Sequence, residues 1–549
     1  MTTYSRFASL SSATEPQHTR SEATRLLCAG VYFDGVFRQR VIEQLVEHEE
    51  RPVAPSLGFD ALQVLAHAHR SRRQEAQAAL YLLVAWAGFI GFGLVGIGSE
   101  EVLLPIPWFA AYMLVCGASW AEQGMPFAIF ILGRSVIKEA TRGTLKRALL
   151  KRVLVPLGRF LLTVAYWALA VFALFRGADA WAALVFPALL VLPVQAYRAQ
   201  VVSVMRRSLS RAAFATEPRA KLPDSAQYQR IGAAIDREQH AGMVIYDPFK
   251  PFVGAGEPYK PWSVVTELRS KAGQSPQAGA LTAREVIDLI RPRLEALATS
   301  AAAASRDRLR SIEIDEVVYM PVGLSRSQLE FQPAQIRQQV NGAVGEGGEA
   351  RRHFLRIRVG AWDERIGISL LVRVHTQGGM LVLEVVPHVL APVRHEFGSV
   401  DVVAASGTGG LLRQALSGLF VSPAANPAAG ASLIVTTVSL LRVWLTMPDR
   451  APLDAPAASV RELGSVSDLS LFQEMDISRY VRTLQDRIAS GVEDALRQKG
   501  YETGEFQQYI INVSGGGVFI GGMSGGAVAT GNWASARHVS ATDMKGDMP

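Results

Sequence analysis

The sequence predicts a membrane α-helical protein: four transmembrane helices arranged as two hairpins, joined to a cytoplasmic α+β domain with an antiparallel β-meander. Three observations lead there. Four uncharged runs occupy residues 76–99, 102–121, 160–175 and 180–197. Lys and Arg gather on one side of those runs. Further along, segments rich in Val, Ile and Leu follow one another across short links, the pattern of hairpin-connected strands.

About 20 apolar residues span a hydrocarbon core as a helix. The runs hold 24, 20, 16 and 18 residues, and the third lengthens to 23 if Arg159 snorkels to the interface. Arg70, Arg72 and Arg73 precede the first run. Arg134, Lys138, Arg142, Lys146, Arg147, Lys151 and Arg152 lie between the second and third. Arg198, Arg206, Arg207, Arg211, Arg219 and Lys221 follow the fourth, whereas the outer turns 99–101 and 176–179 hold no basic residue and one. The positive-inside rule then places both termini and the middle loop in the cytoplasm. The first 27 residues contain no apolar run, so a cleaved leader is not expected.

Composition narrows the class. The formal charge is +7, the charged fraction 19%, and the mean hydropathy +0.17. Residues 67–221 carry 18 Lys+Arg against 7 Asp+Glu, a net +11, while 1–66 and 222–549 are each at −2. The basicity is thus a topology signal, and nucleic acid is excluded as a partner, because a phosphate reader needs a basic face of its own. The expected partner is the lipid bilayer. Two cysteines exclude a disulfide-stapled domain.

The units follow in order. Residues 1–75 read as an N-terminal cytoplasmic helical region, broken at Arg51-Pro-Val-Ala-Pro-Ser56, with 59–73 leading into the first span. Residues 76–197 are the four-helix transmembrane region with its basic cytoplasmic loop 122–152, and 198–224 is a basic linker. Residues 225–505 form the cytoplasmic α+β domain. There Thr282 and Glu285 form a capping box opening a helix to about residue 300. Strands are expected at 243–246, 312–319, 354–359, 366–374 and 380–386, and 342–349 reads as a flexible loop. In 476–500, Ile477, Tyr480, Val481, Leu484, Ile488, Val492, Ala495 and Leu496 recur at helical spacing before Gly500. Segment 428–447 is expected as a buried or membrane-apposed helix, since a fifth span would leave Arg450 and Arg461 outside. Residues 506–549 are a Gly-rich tail, uncharged to 536, with eight glycines in 512–531. Such density disfavours a helix and suits a self-pairing edge, which makes a homo-oligomer an expectation.

Motifs of chemistry are sparse. Gly91-Phe-Gly-Leu-Val-Gly96 has the dinucleotide spacing but lies inside an apolar run with no preceding strand, so its reading is helix packing through Ala87 and Gly91. The four runs contain no acid or histidine, which argues against an ion-coupled transporter. His388 and His395, near Glu384, lack a metal-ligand spacing, and no metal, cofactor or catalytic residue is assigned. Asp247, Glu257 and Asp363 sit in loop-like segments and read as turn residues. Phe249, Phe252, Trp262 and Trp362 are the candidates for an aromatic interaction surface or core.

One set of segments is considered together: Arg25-Leu-Leu-Cys-Ala-Gly-Val-Tyr-Phe-Asp34, Arg51-Pro-Val-Ala-Pro-Ser56 with Asp60 and His67, Pro251-Phe-Val-Gly-Ala-Gly256 with Trp262, Ala361-Trp362, Ser459-Val-Arg-Glu462, Phe472-Gln473, Asp476 and the tail after Ile510-Ile-Asn512. Together they resemble a family of multi-pass membrane proteins of actinobacteria. The resemblance implies a bacterial plasma membrane and the same layout, and it transfers no activity or site residue. The expectation is a non-enzymatic membrane-anchored interaction or sensing scaffold with an unknown protein partner. The alternatives are an oligomeric pore or transport component, and a membrane-bound enzyme with an unrecognised site.

Overall fold

The computed structural model describes residues 18–95, 105–122, 129, 147–176, 181–271, 280–300, 307–323, 331–345, 347–348, 350–363, 365–405, 411–445, 454–466 and 468–514. The outer turn 99–101, most of the basic loop 122–152 and the Gly-rich tail beyond 514 lie outside these residues.

Two short helices, α1 (Glu22–Phe33) and α2 (Gly35–Ile42), open the chain. Ser21 and Asp34 cap them by accepting hydrogen bonds from Thr24 and from Val36 and Phe37. Both pack on α3 (Ala61–Val95), a 35-residue helix whose first half is polar and whose second half is apolar. Then come α4 (Pro105–Glu122), α5 (Arg147–Arg176) and α6 (Trp181–Arg207). Two more helices, α7 (Arg211–Thr216) and α8 (Ala226–Glu238), lead to the sheet.

The sheet has seven strands: β1 (Met243–Tyr246), β2 (Glu257–Pro258), β3 (Trp262–Glu267), β4 (Glu313–Pro321), β5 (Arg352–Ala361), β6 (Ile366–Gln377) and β7 (Met380–Leu390). Its order is β1-β4-β5-β6-β7-β2, with β3 also on β7. The expectation of a simple antiparallel meander is corrected by this order. β5, β6 and β7 do pair antiparallel, but β1 lies parallel to β4. The reason is connectivity. After β1 the chain places β2 and β3 on the far edge and α9 (Ala283–Ser300) on one face before it returns as β4, and a parallel neighbour requires such a crossover. α10 (Pro333–Ala343) follows β4 and overlaps the segment read as a loop.

Every residue of β6 from Ile366 to His375 is buried, so the sheet is covered on both faces. One face carries α9 and α14 (Leu471–Gln498), whose buried residues include all eight expected from the helical spacing. The other face holds Tyr246, Tyr319, Phe354 and Leu371. The remaining helices are α11 (Ser399–Ala405), α12 (Leu411–Leu445), α13 (Val460–Leu463) and α15 (Gly504–Ser514), making 15 α-helices among the described residues.

The expectation of four transmembrane helices is also corrected. Among the described residues two helical stretches are long and apolar enough to cross a membrane, Ala183–Arg207 in α6 and Gly418–Leu445 in α12. Only the first belongs to the four runs. Uncharged length alone overcounts. At 1.5 Å per residue, the apolar stretch Phe160–Phe175 reaches about 24 Å and the 18-residue α4 about 27 Å, both short of a core of roughly 30 Å. The run in α3 is the second half of a helix that starts among charged, buried groups, and it is not one of these two stretches.

Candidate functional site at the junction of head and bundle

The sheet with its helices forms a head, and α3 to α6 with α12 form a bundle. Where they meet, segments distant in sequence converge on Glu462. Ser459 caps α13 and its own backbone N–H donates to Glu462 Oε2 at 3.1 Å, a capping box. The other oxygen, Oε1, accepts from the backbone N–H of Gly254 at 2.7 Å and of Gly256 at 3.2 Å. One carboxylate therefore holds both a helix start and the loop before β2. That loop needs its glycines. Gly254 and Gly256 have φ of +92° and +91°, and a Cβ on them would stand 2.7 Å from the Pro55 carbonyl oxygen and 2.2 Å from that of Val389.

The Arg51–Ser56 break is tied into the same place. Arg51 Nε donates to Asp454 Oδ2 at 3.1 Å, Val53 N to Glu238 Oε2 at 3.0 Å, and Ser56 N to the Gln239 carbonyl at 2.8 Å. Gln44, Arg51, Ser56, Phe59, Pro456 and Val460 line a narrow cleft there. Ser56 is buried, and its hydroxyl has no hydrogen-bond partner among the described residues. Arg461, fully buried, donates to the carbonyls of Arg365 and Ala391. Arg394 pairs with Asp34 at 2.6 Å and with the Leu463 carbonyl at 3.0 Å. Arg25, also fully buried, reaches Glu22, Asp401 and the Leu209 carbonyl.

Below this lies a tier of buried ion pairs along the polar half of α3. Arg38 pairs with Glu75 and donates to Ser71 Oγ at 3.0 Å, while Ile129 N donates to Glu75 Oε1 at 2.5 Å. Glu47 accepts from Ser439 Oγ at 2.5 Å and from Arg442 at 2.8 Å, and Arg72 donates to Ser439 at 3.1 Å. Asp60 accepts from Arg219 Nε at 2.6 Å and Nη2 at 2.7 Å. Arg38 and Glu75, Glu47 and Arg442, and Asp60 and Arg219 are thus matched as counter-ions, which offsets the desolvation of the buried partners. Burial alone would lower the Arg38 and Arg219 pKa values; the neighbouring carboxylates outweigh it and raise both. His67 has no carboxylate among the groups that shift it. Burial, with Arg70 second, lowers its pKa to about 4, so it is neutral beside Tyr32.

The aromatic candidates separate. Phe249 is 94% exposed, on a turn where Asp247 accepts from its N–H at 2.8 Å. Phe252 packs edge-on against Tyr319, Phe354 and His388, with ring centroids 4.8–5.7 Å away. Trp262 is half-buried against the other face's core. Trp362 is exposed at φ +56°, its indole donating to Asp476 Oδ2 at 3.2 Å. Ala87 is exposed, and a Cβ on Gly91 would meet open space. Glu257 is exposed on β2, and Asp363 pairs with Arg308 at 2.6 Å. Among the described residues no group of three or more His, Cys, Asp or Glu side chains is arranged to hold a metal ion.

Glu462, Arg461, Glu47 and Glu75 carry no site assignment in the sequence. A local signal existed for one, since Ser459 three residues before Glu462 is a capping box. The others gain meaning only from partners far along the chain.

Residues 261–528 match the family of AbeC-like domains. An AbeC-like domain therefore spans this part of the chain. The family is of uncharacterised function. No curated protein and no solved structure matches the chain. The AbeC-like domain takes in β3 to β7 and α9 to α15, including the apolar helix α12. It leaves out β1 and β2, which complete the sheet, and the N-terminal helices that pack beneath it.

Proposed function

We propose that this chain is a membrane-embedded scaffold of the bacterial plasma membrane, whose AbeC-like domain stands on the cytoplasmic face as an interaction or sensing module. The supporting observation is where the bundle exposes apolar side chains. Leu83 on α3, Leu114 on α4, Phe175 on α5, Leu192 on α6 and Trp444 on α12 all face outward, Phe175 at 86% and Trp444 at 79% exposure. A continuous apolar surface over several helices is costly in water and favourable in lipid. Arg70, Arg73, Arg198, Arg206 and Arg207 gather at the head end of α3 and α6, which suits a cytoplasmic, anionic headgroup layer. The resemblance to multi-pass membrane proteins of actinobacteria agrees with this reading. The scaffold role rests on the junction, where the head is locked to the bundle by buried pairs rather than by a flexible linker. A change in the head would thus be felt by the helices, and the reverse.

Protease digestion of sealed vesicles tests the orientation. Inside-out vesicles should lose the AbeC-like domain and right-side-out vesicles should keep it. Loss from right-side-out vesicles alone would contradict the cytoplasmic placement.

A further inference from the structure

The geometry points to α12 as a re-entrant element: an apolar helix that leaves the head, enters the lipid of the head-side leaflet and returns to the same side without crossing. The inference rests on the membrane reading above and refines it.

The chain on either side of α12 is stapled together. Val393 and Ser465 form an antiparallel bridge, Arg394 N–H donates to the Gly464 carbonyl at 2.9 Å, and Val466 N–H donates to the Pro392 carbonyl at 3.0 Å. The head core is also built from both sides. Leu355, Leu370 and Val385 from before α12 share one cluster with Leu484, Ile488 and Phe506 from after it. α9 and α14 approach so closely that a Cβ on Gly491 would stand 2.7 Å from Ile290 Cα. A helix that joins two halves of one folded core cannot cross a bilayer once, because a single crossing would part the halves.

The contacts of α12 trace the excursion. Near its start Gly418 lies against Val191 and Gln195 of α6. Asn426, between Pro423 and Pro427, accepts from Trp86 Nε1 at 3.3 Å. Further on Ser439 accepts from Arg72 and donates to Glu47. Trp86 is 14 residues beyond Arg72 along α3, about 21 Å at 1.5 Å per residue. The helix therefore bottoms out short of the roughly 30 Å core and is back at the level of Arg72 by Ser439. Pro423 and Pro427 flank Asn426, the deepest of these contacts, and each removes a donor from the helical ladder there. The outward face of the second half of α12, Ile434, Val438, Leu441 and Trp444, is apolar and exposed, as are Leu83 of α3 and Phe175 of α5. Its occupant is acyl chain of the head-side leaflet.

The test uses the full-length chain in sealed inside-out and right-side-out vesicles. Val402→Cys in α11 and Ala457→Cys after α12 are both at exposed positions, and the native Cys28 and Cys116 are buried. A membrane-impermeant maleimide should label both new cysteines in inside-out vesicles and neither in right-side-out ones. Nitroxides at Ile434→Cys and Trp444→Cys should both report lipid contact, with the label at 434 deeper. Labelling of 402 and 457 from opposite sides overturns the inference and makes α12 a span. Labelling from one side with neither nitroxide in lipid also overturns it, leaving α12 outside the membrane. Recovery of the chain in the soluble fraction would instead overturn the membrane reading itself.

Discussion

The carboxylate of Glu462 accepts the backbone N–H of Gly254 at 2.7 Å, across 208 residues of chain. That bond joins the helix start behind the apolar α12 to the loop that leads into the far edge of the sheet. It is where the two halves of the head are held against the N-terminal helices.

Replacing Glu462 by Ala removes the acceptor of two amides and half of a capping box. Leaving such groups unsatisfied should lower stability by about 1–3 kcal/mol. Glu462→Gln keeps one acceptor oxygen and should recover part of the loss. Denaturant unfolding of the detergent-solubilised chain reads the difference, and equal stability of all three proteins would remove Glu462 from the junction.

Gly256 and Gly378 offer a matched pair. Both have positive φ, but a Cβ on Gly256 meets the Val389 carbonyl at 2.2 Å, while on Gly378 it meets nothing within 4 Å. Gly378→Ala should therefore show backbone strain alone, of roughly 1 kcal/mol. Gly256→Ala should cost clearly more, seen as a larger drop in Tm. The reverse order would mean that the loop before β2 is not held where described.

The Arg38–Glu75 pair sits at the start of the apolar half of α3, with Glu75 fully buried. Removing one partner of a buried pair leaves an uncompensated charge and typically costs about 3–5 kcal/mol. Arg38→Met and Glu75→Leu should each destabilise strongly, and the double variant should be more stable than either single one. Additive losses in a double-mutant cycle would show that the charges do not compensate each other.

Buried His67 gives a pH dependence of defined sign. His67 titrates at about 4 in the folded chain against an ordinary value of 6.5, because burial and Arg70 disfavour its charged form. The unfolded chain binds the proton first, so stability is full above pH 6.5 and falls as the pH drops toward 4. The expected loss is about 3 kcal/mol for complete protonation. His69 and His240 are lowered to about 4 as well, so His67→Gln should reduce that slope by its own share and leave theirs. Glu316 acts in a separate, lower window: burial would raise its pKa, but the hydrogen bond from His353 and the Arg284 guanidinium outweigh it and bring it to about 2. Its contribution is lost only as the pH falls from about 4.5 toward 2. An unchanged slope between pH 6.5 and 4 in His67→Gln would assign the sensitivity elsewhere.

What could be read in advance followed local period. The buried face of α14 was legible because its apolar residues recur at 3.6 spacing, and the Thr282 cap because Glu285 follows three residues on. β3 was not legible: it is six residues beginning with Trp262 after a proline, and only its pairing with β7 makes it a strand. The tier beneath the head was hidden for the same physical reason. Arg25, Arg38, Glu47 and Asp60 look like ordinary solvated charges until partners such as Asp401, Glu75, Ser439 and Arg219 arrive from distant segments. The uncharged runs misled because absence of charge says less than apolar length, and because α12, with Arg413 near its start and Arg442 near its end, is the helix whose composition and connectivity disagree.

Alkaline carbonate extraction of membranes carrying the full-length chain tests the central claim most directly. A bundle embedded through the apolar faces of α3 to α6 and α12 should stay in the pellet under carbonate and leave it only with detergent. Quantitative release into the carbonate supernatant would contradict the account, because a chain held by headgroup charge alone behaves that way.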